Sequence, residues 1–457
     1  MFNFGDSFRR VVYFYPAVIC LFFLASCSMQ KQIGRLADEN IFQDAALKSA
    51  HVGISVYDPA AGHYLYNKQA DKYFVPASNT KLFSLYAGLK YLGDSLIGIR
   101  YVETDTAVFI FPSGDPTLLH PDFSRQPVVD FLKSTKKPIY LVDTNWKEQP
   151  LGAGWAWDDY NDDYSAERSS IPVYGNLIKW IQENQKKPDQ QKDFPPSPVV
   201  YSIPDINWKV TFTTGKEQKN FFVQRHIGEN IFEITEGNED HKEQDVPFVT
   251  NGVASAIELL KDTTGKEISV ISHLRGDHLL FHPVVIHSQL LDSLFTPMMH
   301  KSDNFFAEQT LLMVSNEKLG VMNDRRIIDT LLKNDLNNLP QRPAWVDGSG
   351  LSRYNLFTPQ DFVWLLNTMK VEFGMNRMKT ILPTGGKGTL GSYYKQDSGY
   401  IYAKTGSLSG VICLSGYLYT TKNRLLIFSV LVNNHNAGSS SIRKAVAKFI
   451  EALRRKY

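Results

Sequence analysis

Three cysteines in 457 residues give no disulfide framework. Cys20 lies in an apolar N-terminal run and Cys27 just after it, which leaves Cys413 over. In Val411-Ile412-Cys413-Leu414 that thiol reads as a small buried hydrophobe. Charge of one sign is equally scarce. Lys and Arg number 49 against 47 Asp and Glu, and the formal net charge of +2 is spread with no long basic run. That excludes a nucleic-acid partner and a polybasic membrane patch. No internal repeat is visible. His273, His278, His282 and His287 crowd one stretch, but without a cysteine partner or tight ligand spacing, so no metal and no cofactor are expected.

What is present is enough for real cores: 43% hydrophobic and 12% aromatic residues, in a length that suits two or three domains. At the N-terminus Arg9 and Arg10 precede an apolar run, Val11 to Leu24, ending in Leu24-Ala25-Ser26-Cys27. The layout predicts a bacterial secretory signal over 1–26, and a Cys directly after the cut resembles a lipobox, which implies that Cys27 carries lipid. The run is shorter than the roughly 20 residues of a membrane span, which weighs against the alternative of an uncleaved anchor. Either way the body lies outside the cytoplasm. The expected place is the periplasm, lipid-anchored to a membrane, with Ser28 suiting the outer one.

Along the chain, His51 to Tyr57 and His63 to Tyr66 read as a hairpin around the turn Asp58-Pro59-Ala60-Ala61-Gly62. A helix follows, with Leu82, Leu85, Tyr86 and Leu89 spaced to bury one stripe. From 101 to 283 the texture shifts to short strands and charged or Pro-rich loops, including a polar loop, Glu183 to Pro198. Ile206 to Phe212 alternates as a strand, and the acidic segment Glu236 to Asp245 is expected to cap a hairpin in solvent. Helical spacing resumes from His287 through Leu290, Leu291, Leu294 and Met298. Gly399 to Thr405, Val411 to Tyr419 and Leu425 to Asn433 read as strands, and Ser439 to Arg454 as a closing helix. The first hairpin and last three strands can form one antiparallel sheet flanked by helices. The expected fold is α+β, with a discontinuous core of 27–100 and 284–457 and a β-rich insertion, 101–283, in two small domains.

Three motifs carry chemistry. Ser78-x-x-Lys81 opens the first helix, where residues three apart share a face, so the Lys81 amine can take the proton of the Ser78 hydroxyl. The helix N-terminus also aims backbone N–H groups at any anion formed there. Ser302-Asp303-Asn304 and Lys404-Thr405-Gly406 follow, the last at the end of a predicted strand and before Ser407. Each is common alone. Together and in this order they are the signature of penicillin-binding proteins and class A β-lactamases.

With Ser113-Gly114-Asp115-Pro116-Thr117, Gly154-Trp155-x-Trp157-x-Asp159, Asp347 to Arg353, Gly388-Thr389-Leu390 and Asn433-Asn434, the chain resembles the D-alanyl-D-alanine carboxypeptidase/endopeptidase family. This is the low-mass class C type of penicillin-binding protein, with a β-lactamase/transpeptidase-like penicillin-recognising domain. The 224 residues from Ser78 to Ser302 leave room for the inserted domains of that family. The resemblance implies a lipid-anchored serine DD-peptidase that acts on peptidoglycan peptides and is acylated by β-lactams. Ser78 would attack, and Lys81 would be the base, its pKa lowered by burial and by Lys404. Ser302 would relay a proton to the leaving amine and Asn304 would hold Lys81 and the substrate amide. Lys404 and Thr405 would bind the terminal carboxylate. Gly406 and Ser407 would line the substrate, with an oxyanion site at the N–H groups of Ser78 and Ser407. Asp159, Tyr164 and Arg353 would read the peptide stem, Arg353 having a structural ion pair as its alternative. Glu167 reads as a solvated acid rather than a deacylating base. A serine β-lactamase and a non-catalytic wall-binding protein are the rival functions. The insertion and the Asp347 to Arg353 motif count against the first, and the intact motifs against the second.

Overall fold

A computed structural model describes residues 30–184, 198–213, 220–272 and 283–457. The predicted signal, Cys27, most of the polar loop after Glu183, and His273, His278 and His282 lie outside the described residues. Among those described, no helix is long and apolar enough to cross a membrane. The chain divides into two compact units, one of Met1–Asn79, Leu339–Ala344 and Leu356–Tyr457, the other of Thr80–Asn338 and Trp345–Asn355.

The first unit is built on an antiparallel sheet of β1 (His51–Asp58), β2 (His63–Lys68), β3 (Ile401–Leu408), β4 (Val411–Tyr419) and β5 (Leu425–Asn433) in the order β3-β4-β5-β1-β2. Register runs from His51 opposite Asn433 to Tyr57 opposite Ile427. Alternation decides the faces. Val52, Ile54 and Val56 share a core with Ile442, Ala445, Val446, Phe449, Ile450 and Leu453 of the closing helix, Ser439–Lys456. Gly53 turns the other way, where a Cβ would lie 2.6 Å from the Phe74 ring and 2.8 Å from Pro359. Pro359 opens the helix Pro359–Phe373, started by a capping box in which Thr358 and Asp361 satisfy each other's backbone N–H.

Two helices lie at the centre of the second unit, α1 (Lys81–Tyr91) and α2 (Asn304–Leu319). Gly88 permits their approach, since a Cβ there would sit 2.9 Å from Thr310 and closer still to Phe295. Contrary to the one-stripe expectation, α1 is buried from Lys81 to Leu89 on every side. A mixed sheet of five strands takes the order Ile268–Ile271, Ile139–Val142, Val108–Pro112, Ser95–Glu103, Val284–Leu290. His287 to Leu290 thus belong to a strand, and the helix begins only at Leu291. The acidic segment is no hairpin cap either: His241–Pro247 pairs along Leu177–Asn184, with Val246 in the core, Glu243 exposed and Asp245 half-buried.

Candidate active site

In the first unit, the chain reaching Ser78 is fixed from three directions. Phe74 exchanges backbone hydrogen bonds with Phe357, 2.8 and 3.0 Å. The Asn433 amide accepts from the Val75 N–H at 2.7 Å and donates to the Val75 carbonyl at 3.0 Å. Asn79 Nδ2 donates to the Lys404 carbonyl at 3.2 Å. Between these anchors Ala77 takes a left-handed φ of 47°, and Ala77–Thr80 forms a 3-10 turn running straight into α1. Ser78 therefore precedes the α-helix proper, half-buried, one turn ahead of Lys81.

β3 carries Lys404, Thr405, Gly406 and Ser407 within the strand rather than at its end, since pairing with β4 continues to Leu408 opposite Val411. Gly406 is required there. A Cβ would meet the Pro76 carbonyl at 2.6 Å and Asn79 Nδ2 at 2.9 Å. Lys404 is fully buried and donates to the Thr405 carbonyl at 2.8 Å, while Ser407 is exposed and accepts from Arg443 at 2.8 Å. Cys413, buried on β4 with its thiol pKa pushed up by burial, faces the Val75 carbonyl at 3.6 Å.

In the second unit, Lys81 is fully buried, and its Nζ donates to Asn304 Oδ1 at 2.6 Å and to the Ser349 carbonyl at 2.8 Å. Burial pulls its pKa down to about 8, against the opposing pull of Asp303, Asp347 and Glu308. Asp303 caps α2, accepting from the Phe306 N–H at 2.8 Å, and Ser302 just before it has φ 64°. Asn304 also donates, through Nδ2, to the Tyr164 carbonyl at 3.0 Å. That contact brings one candidate stem-reading residue beside the second motif. The Tyr164 hydroxyl donates to Asp162 at 3.0 Å; burial first, then the acids Asp162 and Asp159, push its pKa up.

Arg353 is exposed on a loop organised by Asp347. The Asp347 carboxylate accepts from Gly350 N at 2.8 Å, Ser352 N at 2.6 Å, Asn355 Nδ2 at 2.7 Å and Trp155 Nε1 at 3.1 Å. Glu167 is not a solvated acid. Its Oε2 accepts both the backbone N–H and the hydroxyl of Thr250, 2.8 and 2.7 Å, and so anchors the start of the helix Ala254–Thr264.

Sequence reasoning passed over Arg168 and Glu308, a fully buried pair beneath this half of the site. Arg168 bonds Asp324 at 2.6 Å and lies 3.4 Å from Glu308 and 3.5 Å from Glu148. Glu308 stands four residues after Asn304, so it shares that residue's face of α2, and this spacing was a usable signal.

The first unit offers a half-buried hydroxyl on a 3-10 turn and a strand whose glycine lets it lie against that turn; the second offers a buried amine of lowered basicity. The D-Ala-D-Ala carboxypeptidase 3 (S13) family matches residues 36–453. A D-alanyl-D-alanine carboxypeptidase of Actinomadura sp. (strain R39) is 26% identical over 462 residues, covering 89% of this chain and 82% of that protein. The D-alanyl-D-alanine carboxypeptidase DacB of Haemophilus influenzae is 27% identical over 183 residues, 37% of each chain. The crystal structure of penicillin binding protein 4 from that organism superposes with a TM-score of 0.69 at 19% identity, covering 92% of this chain and 98% of the other. Its fold is thus that of penicillin-binding proteins, and the chain belongs to the D-Ala-D-Ala carboxypeptidase 3 (S13) family, as a serine DD-peptidase of the low-mass class C type.

Proposed function

We propose that Ser78 is the acylated nucleophile of this DD-carboxypeptidase/endopeptidase and that Lys81 is its base. The observation that carries the reading is the environment of Lys81. A neutral amine has two N–H bonds and one lone pair. With both hydrogens committed to Asn304 Oδ1 and the Ser349 carbonyl, the lone pair is left for the hydroxyl one turn earlier in the chain. A pKa of about 8 keeps enough amine neutral near pH 7 for that work.

In this reading Ser78 Oγ attacks the carbonyl between two D-alanines while its proton passes to Lys81. Collapse then expels the terminal D-alanine, whose amine receives a proton through Ser302, and water completes the cycle by hydrolysing the ester. Lys404 and Thr405 hold the terminal carboxylate, a fixed cation beside a hydroxyl. The N–H groups of Ser78 and Ser407 stabilise the oxyanion, a contribution whose loss typically costs about 100-fold in rate. Asp159, Tyr164 and Arg353 contact the peptide stem. Cys27 carries the lipid that ties the protein to the membrane on the periplasmic side. Exchanging Cys27 for Ser should release it from the membrane fraction and remove the lipid mass.

The decisive experiment is intact mass over time with benzylpenicillin, on the native protein and on Ser78→Ala. A lasting one-to-one adduct on the native protein alone supports the peptidase. An adduct that clears within seconds while drug is consumed points to a β-lactamase, and no adduct on a folded protein points to wall binding without catalysis.

A further inference from the structure

We infer that Glu308 is a positioning residue for Lys81, acting through the backbone of Ser349. The inference rests on Lys81 being the base and concerns what aims its lone pair. One of the two acceptors that orient the amine is a loop carbonyl, and a loop carbonyl points where its peptide planes are held.

Two successive planes of this loop are each fixed at both ends. In the first, the Gly348 carbonyl accepts from Ser84 Oγ at 2.6 Å and the Ser349 N–H donates to Glu308 Oε1 at 2.7 Å. In the second, the Ser349 carbonyl accepts from Lys81 at 2.8 Å and the Gly350 N–H donates to Asp347 Oδ1 at 2.8 Å. Gly348 lets the loop sit against α2, since a Cβ there would lie 2.6 Å from the Ala307 carbonyl. Ser84 and Lys81 belong to α1, Glu308 to α2. Glu308 is therefore the contact that ties the loop's hydrogen-bonded backbone to the helix that also carries Asn304, the amine's other acceptor.

The choice of an acid has a physical reason. A carboxylate is a stronger acceptor than a neutral group, and Arg168 stands 3.4 Å from Glu308's second oxygen to offset the buried charge. Arg168 itself donates to the Gln149 and Leu151 carbonyls, 2.9 and 3.3 Å, and faces the Trp155 ring at 5.6 Å. Trp155 in turn donates to Asp347. The same buried set thus links the segment leading to Asp159 with the loop carrying Arg353. Asp303 and Asp347 face Lys81 alongside Glu308; Arg168, Asp324 and Asp347 face Glu308, with Glu148 on the far side of Arg168.

The test measures second-order acylation by benzylpenicillin, per titrated active site, from pH 5 to 9 for the wild type, Lys81→Ala, Glu308→Ala and Glu308→Gln. Glu308→Ala removes the acceptor and should slow acylation by roughly 30-fold or more, the scale expected when a reacting group is misaimed by about an ångström. Glu308→Gln restores an acceptor without the charge. It should recover most of that loss, and its acid limb should move to lower pH because Lys81 has lost a neighbouring negative charge. If Glu308→Ala fails to fold, the limb of Glu308→Gln decides. A Glu308→Ala rate within about twofold of wild type per folded site, or an unmoved limb in Glu308→Gln, overturns the inference, because both are read per titrated site and a change in folded fraction alone moves neither. Wild type that forms no adduct, or Lys81→Ala that acylates normally, would instead remove the reading of the site beneath it.

Discussion

Asn433, the last residue of β5, hydrogen-bonds both backbone groups of Val75 with one amide, 2.7 Å to the N–H and 3.0 Å to the carbonyl. Only Asn or Gln offers an acceptor and a donor side by side, and Asn433 is placed so that neither is spare. Asn433→Ala should leave two backbone groups three residues before Ser78 without these partners. The expected cost is about 1–3 kcal/mol, read from denaturant unfolding, with a slower acylation rate in the fraction that remains folded. Asn433→Asp keeps the acceptor but sets a carboxylate oxygen against the Val75 carbonyl, and should be no better than Ala. Unchanged stability in both would show that the clamp contributes nothing.

Gly406 sets a steric limit between β3 and the turn that carries Ser78. A methyl at that position meets the Pro76 carbonyl, Asn79 Nδ2 and Ala77 Cβ within 3.2 Å, and two of these are backbone or branch from it directly. Gly406→Ala should push the Ala77–Thr80 turn off β3. Acylation should then fall by about 100-fold, while far-ultraviolet circular dichroism stays native because the sheet itself is paired elsewhere. A variant that acylates at the native rate would mean that the turn and β3 need not lie so close.

With Lys81 as the proposed base, its amine sets the pH response: it works only when neutral, so below about pH 8 the acylation rate should fall by about tenfold per pH unit as the amine protonates. The stability effect has its own sign. The folded-state pKa lies below that of the unfolded chain, so between about 8 and a free lysine's 10.5 the unfolded state binds more protons, and this group's contribution rises with pH across that window. Comparing wild type with Lys81→Met by unfolding at pH 7.5 and 9.5 should show the native protein gaining on the variant at the higher pH. A flat difference would mean that Lys81 titrates normally.

The residues that sequence reasoning placed best are those whose pattern is local. Val411–Tyr419 and Leu425–Asn433 were legible end to end because central strands buried on both faces read as unbroken apolar runs bounded by turns. The three motifs stood out in the sequence because their residue types recur at fixed spacing. Glu308 was missed, since its spacing from Asn304 gives only a shared face, and whether the acid is solvated or buried shows only when Arg168, from 140 residues earlier, is found beside it. The same holds for Glu167, whose partner Thr250 is 83 residues away. His241–Pro247 was misread for another reason. A strand can carry Glu243 in solvent and Asp245 half-buried on one face, and high local charge then hides the alternation.

Asp347 makes the most exposed claim about how the second unit is held. Its carboxylate accepts four hydrogen bonds, from Gly350, Ser352, Asn355 and Trp155, and it is fully buried, with burial pushing its pKa up and those donors pulling it back. Removing the acid leaves four donors without that acceptor, three of them on buried residues and the fourth on half-buried Trp155. Asp347→Ala should therefore cost at least about 3 kcal/mol, since each unsatisfied buried group carries roughly 1–3 kcal/mol. Asp347→Asn is the finer probe. It keeps one acceptor oxygen but turns a donor toward either Trp155 and Ser352 or Gly350 and Asn355, so it should still lose much of that energy. It should also lower the apparent pKa of Lys81, whose charged form Asp347 favours. The two effects separate by measurement: unfolding reports the first, and the acid limb of acylation the second. Should Asp347→Asn prove as stable as wild type with an unshifted limb, the loop would be held by its packing against α2, and the four hydrogen bonds would be a consequence of that packing rather than its cause.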